Sequence, residues 1–202
     1  MIREVIGAYR ANGLKHPFKS ARIAQALISR DIDTSGYLKE FAKNGTQLWS
    51  RDESAYYIKS LSHRPSKGCG NCIFYHDTKH SFVLSNNNSN NMYGSLALVG
   101  FDLDSSLRVK VKQIQALKGS PGTQNDKNYQ LLQPLKWERM LLKIVTDWAS
   151  EAGFEQVWVQ GATNNTWNRL DSNVAFRMRY DVTARRSGFR LDKQSGDYYL
   201  DL

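Results

Sequence analysis

"WERMLLKIVTDWASEAGFEQVWVQ", residues 137–160, carries the densest structural signal in the chain. Trp137, Met140, Leu141, Ile144, Val145, Trp148, Ala149 and Ala152 recur at steps of three and four, which lines one side of a 3.6-residue helix with apolar groups. Gly153 stands where a left-handed residue closes a helix, and "FEQVWVQ" reads as a buried strand. A wide apolar stripe must be covered. Residues 137–152 are therefore expected to form one uninterrupted helix, packed on a mixed sheet that includes 111–117 and 155–160.

Working outward, "DSNVAFRMRYDVTARRSGF" (171–189) reads as a second helix with Phe176, Tyr180 and Ala184 on one face and Gly188 as its stop. "FRLD" and "DYYLDL" then close the chain as a hairpin around "KQSG". Upstream the hydrophobic period is two. "CIFYHDTKHSFVLS" (72–85) reads as strand, three-residue turn and strand, and "MYGSLALVGFDL" and "LRVKVKQIQAL" as two more strands. The tract "NNNSNN" (86–91) is a solvated loop.

Residues 1–67 read as short helices. Ile2, Val5, Ile6 and Tyr9 make one face, and "SARIAQALISRDIDTSGYLKEFAKNG" (20–45) makes two helices joined by a capped turn. A third helix is expected from Ser50, where Ser50 and Glu53 match a capping box, and it must end before Pro65. The expected division is a helical segment, 1–67, and a sheet-bearing domain, 68–202.

With 202 residues, 41% of them hydrophobic, the chain can bury a core. No apolar run reaches the roughly 18 residues of a membrane span, and charges interrupt the opening "MIREVIGAYR", so no membrane partner and a cytoplasmic location are expected. The net charge of +9 favours polyanions, among them nucleic acids and phosphorylated cofactors. It is concentrated early, with 12 Lys and Arg against 6 Asp and Glu in 1–67 and 16 against 13 in 68–202.

The element order from residue 72, with the stretches 137–160 and 179–202, resembles the GCN5-related N-acetyltransferase superfamily. There a central helix follows the fourth strand, a fifth strand follows, and a further helix ends in a Gly-Phe step before a final hairpin. The resemblance covers about residues 72–202 and implies an α+β (α/β-like) fold, a mixed central sheet with flanking helices, here preceded by a small helical segment. It also implies acetyl-CoA or another acyl-CoA as cofactor, and an amine-bearing acceptor whose identity stays open. In that family the fourth and fifth strands splay, and the first amides of the central helix hold the cofactor's pyrophosphate, where unpaired N–H groups and the helix dipole favour an anion. The family's loop signature is Gln or Arg, two residues, then two glycines flanking one residue. This chain departs from it: Gly119 and Gly122 precede the helix by about 15 residues, and "LLQPLKW" has no glycine. Two cradles stay open, Lys118, Gly119, Ser120 and Gly122, or the amides near Leu135 to Glu138 with Lys136 as charge and Trp137 as first helical residue. An ordinary turn-rich loop at 119–128 is a third reading.

Family members use a helix tyrosine five residues before the Phe of the Gly-Phe step to protonate the departing thiolate. Counting back from Phe189 reaches Ala184, and Tyr180 lies one turn earlier on the same face, so Tyr180 is the catalytic candidate. A core aromatic is its plainer role. Glu138, Glu155 and Asp102 are candidate bases by residue type alone.

Cys69, Cys72, His76 and His80 tempt a zinc assignment, but a 72–85 hairpin puts Cys72 about 13 Å from the histidines, so no metal is expected. Besides acyl transfer, two other functions fit the residues. One is a nucleic-acid-binding protein in which Lys39 and Lys43 of the helix "SGYLKEFAKNG" meet phosphates, with Glu40 opposing them. The other is a non-catalytic interaction protein of the same fold.

Overall fold

The structure, a computed structural model, describes residues 21–31, 33–44, 49–51, 54–62, 67–69, 72–75, 77–86, 95–116, 132, 135–169 and 173–202. In chain order the elements are α1 (Ala21–Ser29), α2 (Thr34–Asn44), β1 (Trp49–Arg51), β2 (Ser54–Ser62), β3 (Lys67–Cys69), β4 (Cys72–Tyr75), β5 (His80–Ser85), β6 (Ser95–Asp104), β7 (Arg108–Ala116) and α3 (Trp137–Ala152). There follow β8 (Gln156–Val159), 3-10 turns Ala162–Asn164 and Thr166–Arg169, α4 (Asn173–Arg177), a π turn (Met178–Val182), α5 (Thr183–Arg186), β9 (Arg190–Leu191) and β10 (Tyr198–Asp201). From residue 72 this is the order the sequence predicts.

Among the described residues eight strands form one sheet in the order β1-β2-β5-β6-β7-β8-β10-β9. Its neighbours are antiparallel except β7 and β8, which are parallel because α3 carries the chain back across the sheet between them. The α3 stripe is buried as expected, and Gly153 closes the helix at φ 84. Trp148 is fully buried, with ring centroids 5.2 Å from Phe101, 5.5 Å from Phe154 and 6.2 Å from Phe82. Ala24 and Leu27 of α1, and Leu38, Phe41 and Ala42 of α2, enter the same core. Among the described residues no helix is long and apolar enough to cross a membrane.

Three expectations are corrected. The third helix does not form: 49–51 and 54–62 are β1 and β2, inside the stretch expected to be helical, and β2 pairs along β5 from Tyr57↔Ser85 to Ser62↔His80. Tyr56, Tyr57 and Ile58 favour extended backbone, and Tyr56 and Ile58 alternate into the core, which outweighs a capping box with no helical stripe behind it. The 72–85 hairpin does not form either. β4 pairs with β3 in a separate two-stranded ribbon whose register sets Cys69 opposite Cys72, while β5 lies between β2 and β6. Gly70-Asn71 is itself a two-residue hairpin signal, and it competes with the longer "HDTKH" turn. Finally, the last helix is interrupted by the π turn, although Phe176, Tyr180 and Ala184 stay buried and Gly188 ends the segment at φ 91. The helix expected at 2–9 and the asparagine tract beyond Asn86 lie outside the described residues.

Candidate functional site

β7 and β8 pair from Arg108↔Gln156 to Val111↔Val159, and Gln160 N–H closes the run on the Val111 carbonyl at 2.9 Å. β7 continues to Ala116 with β8 no longer beside it. The register with β6 shifts at the same point, from Gly100↔Gln113 to Phe101↔Val111, which leaves Lys112 as the extra residue of a bulge. Bulges bend one strand and redirect its backbone groups. Here the freed groups on the β8 side of β7 are met by side chains: Asn165 Nδ2 donates to the Lys112 carbonyl at 3.2 Å, and Ile114 N–H donates to the Tyr180 hydroxyl at 3.1 Å.

Tyr180 reaches that spot from the π turn. Its ring stacks on Phe176, with centroids 5.6 Å apart, and the residue is buried. Burial pushes its pKa above the ordinary phenol value; the Ile114 N–H, the Arg179 charge and a hydrogen bond with Asn165 oppose that shift, and the Asp77 carboxylate adds to it. Asp77 belongs to a turn pinned over the sheet. Its N–H donates to Gln113 Oε1 at 3.4 Å, Thr78 Oγ1 donates to the His80 carbonyl at 3.1 Å, and Lys79 N–H donates to Asp102 Oδ1 at 2.8 Å.

The segment that follows β8 is held by backbone and carboxylates. Asp181 Oδ1 receives Ala162 N–H at 2.8 Å, and Asp197 Oδ1 receives Gly161 N–H at 2.8 Å and Asn164 Nδ2 at 2.7 Å. Gly161 is required, since a Cβ there would lie 2.1 Å from the Gly196 carbonyl oxygen.

At the start of α3, Lys136 is exposed and left-handed at φ 45, and no side chain caps the helix at that residue. The Trp137 side chain is buried in the core, so only its amide is offered at the helix start. Glu138 folds its carboxylate onto its own N–H; burial pushes its pKa up, while that hydrogen bond and the Arg179 charge oppose the rise. Lys118, Gly119, Ser120 and Gly122 lie outside the described residues. Of the candidate bases, Glu155 is exposed at the opposite end of β8, where its N–H meets the Leu107 carbonyl, and Asp102 is bound to Lys112 at 2.9 Å. Lys39 is exposed on α2, whose other face packs on β2; the Lys43 side chain lies outside the described residues. Among the described residues no three His, Cys, Asp or Glu side chains are grouped as metal ligands.

Asn165, the Ile114 amide, Asp77 and Gln113 are absent from the sequence-derived site. The one usable signal was position: "ATNN" follows the carboxyl end of a buried parallel strand, where α/β sheets hold ligands.

No protein-family model matches the chain, and no curated protein matches it. Two solved structures are similar. One is assigned as an N-acetyltransferase from Lactobacillus plantarum, at 15% identity and a TM-score of 0.36 over 62% of this chain and 72% of that one. The other is assigned to the GNAT-family acetyltransferases, from Chromobacterium violaceum, at 12% identity and a TM-score of 0.35 over 63% of this chain and 60% of that one.

Proposed function

We propose that the chain transfers an acyl group from acyl-coenzyme A to an amine, with the opening between β7 and β8 as the reaction site. One observation carries this proposal: the Ile114 N–H and the Tyr180 hydroxyl meet where a parallel strand pair opens beside a bulge. The Ile114 N–H is engaged by the phenol, so the anchored phenol is the group that can meet a thioester, delivering a proton to the leaving sulfur, and proximity supplies much of the rest.

The donor set fits coenzyme A. The start of α3 has no side-chain cap at Lys136, and Lys136 and Arg179 bring positive charge to it. There the Trp137 amide would hold the diphosphate, with Lys136 as its counter-charge and the Glu138 carboxylate, folded onto its own N–H, opposing it; Lys118, Gly119, Ser120 and Gly122 would be the alternative cradle. When bound, the cofactor supplies a thioester whose sulfur leaves as a thiolate that needs a proton. Tyr180 carries that proton at neutral pH, because burial disfavours its ionised form. Asp77 supplies negative charge near the phenol, where a cationic amine would be attracted.

Calorimetry with acetyl-CoA, followed by thiol release on a panel of amines, tests the proposal. Binding together with amine-dependent release supports it. Lack of binding at millimolar acetyl-CoA overturns it. Affinity for short duplex DNA would then favour nucleic-acid recognition through Lys39 and Lys43, and affinity for neither would favour a non-catalytic interaction protein.

A further inference from the structure

We infer that Asn165 is the positioning residue for Tyr180: its amide, tethered to the Lys112 carbonyl, donates to the phenol oxygen beside the Ile114 N–H, so the phenol's own proton is turned away from β7. The catalytic use of that proton rests on the acyl-transfer proposal, whereas the orientation itself does not.

The geometry supports this step by step. Asn165 lies between the two 3-10 turns after β8, held by its own N–H on the Ala162 carbonyl at 3.3 Å, and it is 5% exposed. Its Nδ2 meets the Lys112 carbonyl at 3.2 Å, two residues along β7 from the Ile114 amide that meets the phenol, which sets the Asn165 side chain beside the Tyr180 oxygen. The carbonyl of a bulge residue only accepts, which fixes the amide with its N–H side toward β7 and the phenol. A phenol oxygen has room for two incoming hydrogen bonds and one outgoing proton. With Ile114 N–H and Asn165 donating, the proton has to point elsewhere, so a phenol that merely filled the gap in the sheet becomes an oriented donor. Each incoming hydrogen bond also favours the ionised oxygen, which partly offsets burial. The charged groups that act on the phenol are Arg179, adjacent in the π turn, and Asp77 ahead of β5, with Glu138 acting on Arg179; Asn165 variants leave all three in place.

The test reads the phenol itself, with no substrate present. In protein labelled at tyrosine Cζ, the Tyr180 resonance is assigned by its loss in Tyr180→Phe and titrated by NMR in wild type, Asn165→Ala and the isosteric Asn165→Asp. Both substitutions remove the donor. Each should raise the Tyr180 pKa by on the order of one unit, and Asn165→Asp should raise it more by adding a negative charge. If acyl transfer also occurs, the alkaline limb of kcat/KM should move up in parallel while KM for acetyl-CoA stays within about twofold. An unchanged or lowered Tyr180 pKa in a folded Asn165 variant would overturn the inference, even in an active enzyme. A raised pKa in a protein that transfers no acyl group would uphold the Asn165–Tyr180 relation and count against acyl transfer alone.

Discussion

The Tyr180 hydroxyl receives the main-chain N–H of Ile114 at 3.1 Å across 66 residues of sequence. This bond ties the last helical segment to the sheet where β7 leaves β8, and it couples stability to the proposed chemistry. Tyr180→Phe removes the acceptor and leaves a buried N–H unpaired, so a loss of about 1–3 kcal/mol is expected in denaturant unfolding. If Tyr180 also donates the proton, turnover should fall by roughly 10²–10⁴ with acetyl-CoA affinity preserved. A variant with full turnover would reduce Tyr180 to a packing role.

Gly100 governs how the Asp77 turn sits on the sheet. A Cβ at this position would lie 2.4 Å from Thr78 Oγ1 and 3.1 Å from Gln113 atoms. Gly100→Ala should therefore destabilise by roughly 1–3 kcal/mol, the range for overpacking a filled interior. The clash is with the hydroxyl, so Thr78→Ala should cost less in the Gly100→Ala background than alone. A double-mutant cycle measures that coupling, and strict additivity would show that the turn moves aside freely.

The elements that were legible in the sequence are those whose apolar spacing is redundant. α3 repeats its stripe over four turns, so one ambiguous residue does not change the outcome, and β7 and β8 alternate buried and partly exposed residues. β2 was illegible because a local cap at Ser50 and Glu53 competed with pairing to β5, a partner distant in sequence, from Tyr57↔Ser85 to Ser62↔His80, that sequence periodicity does not reveal. The site was half legible for a similar reason. Tyr180 and Lys136 stand on helical elements that could be counted, whereas Asn165 and the Ile114 amide matter only because a bulge at Lys112 turns backbone groups toward them. A bulge is an event of pairing between two strands, and neither strand announces it alone.

Chelation is expected to leave melting temperature and activity unchanged. Cys69 and Cys72 pair in the β3–β4 ribbon, and His80 stands on β5 in the eight-stranded sheet. Stoichiometric zinc by elemental analysis, lost on Cys72→Ser, would contradict this.

Glu138 makes the stability of the α3 start depend on pH. Its folded pKa is raised by burial, so ionising it costs more in the folded chain than in the unfolded one. That penalty is absent below the unfolded value, grows as pH rises from the unfolded to the folded pKa, and is complete above it. Glu138→Gln should accordingly raise the melting temperature at pH 7 and leave it nearly unchanged below pH of about 4. Equal effects at both pH values would mean that packing, not charge, explains the change.

Lys136 separates binding from stability most cleanly. Its left-handed backbone costs a non-glycine residue about 1 kcal/mol, and its exposed side chain makes no cap hydrogen bond. Lys136→Gly removes both the strain and the charge, so ligand-free stability should rise by up to about that amount. Lys136→Glu keeps the strain and reverses the charge, with ligand-free melting temperature nearly unchanged because exposed charges contribute little. If the diphosphate lies at the start of α3, acetyl-CoA affinity should fall in both variants, and further in Lys136→Glu, where a second carboxylate joins Glu138 beside the helix amides. Affinity that is unmoved by Lys136→Glu but lost on Lys118→Glu would shift the phosphate cradle to Lys118, Gly119, Ser120 and Gly122. Affinity unmoved by either would remove the helix start from the cofactor's path.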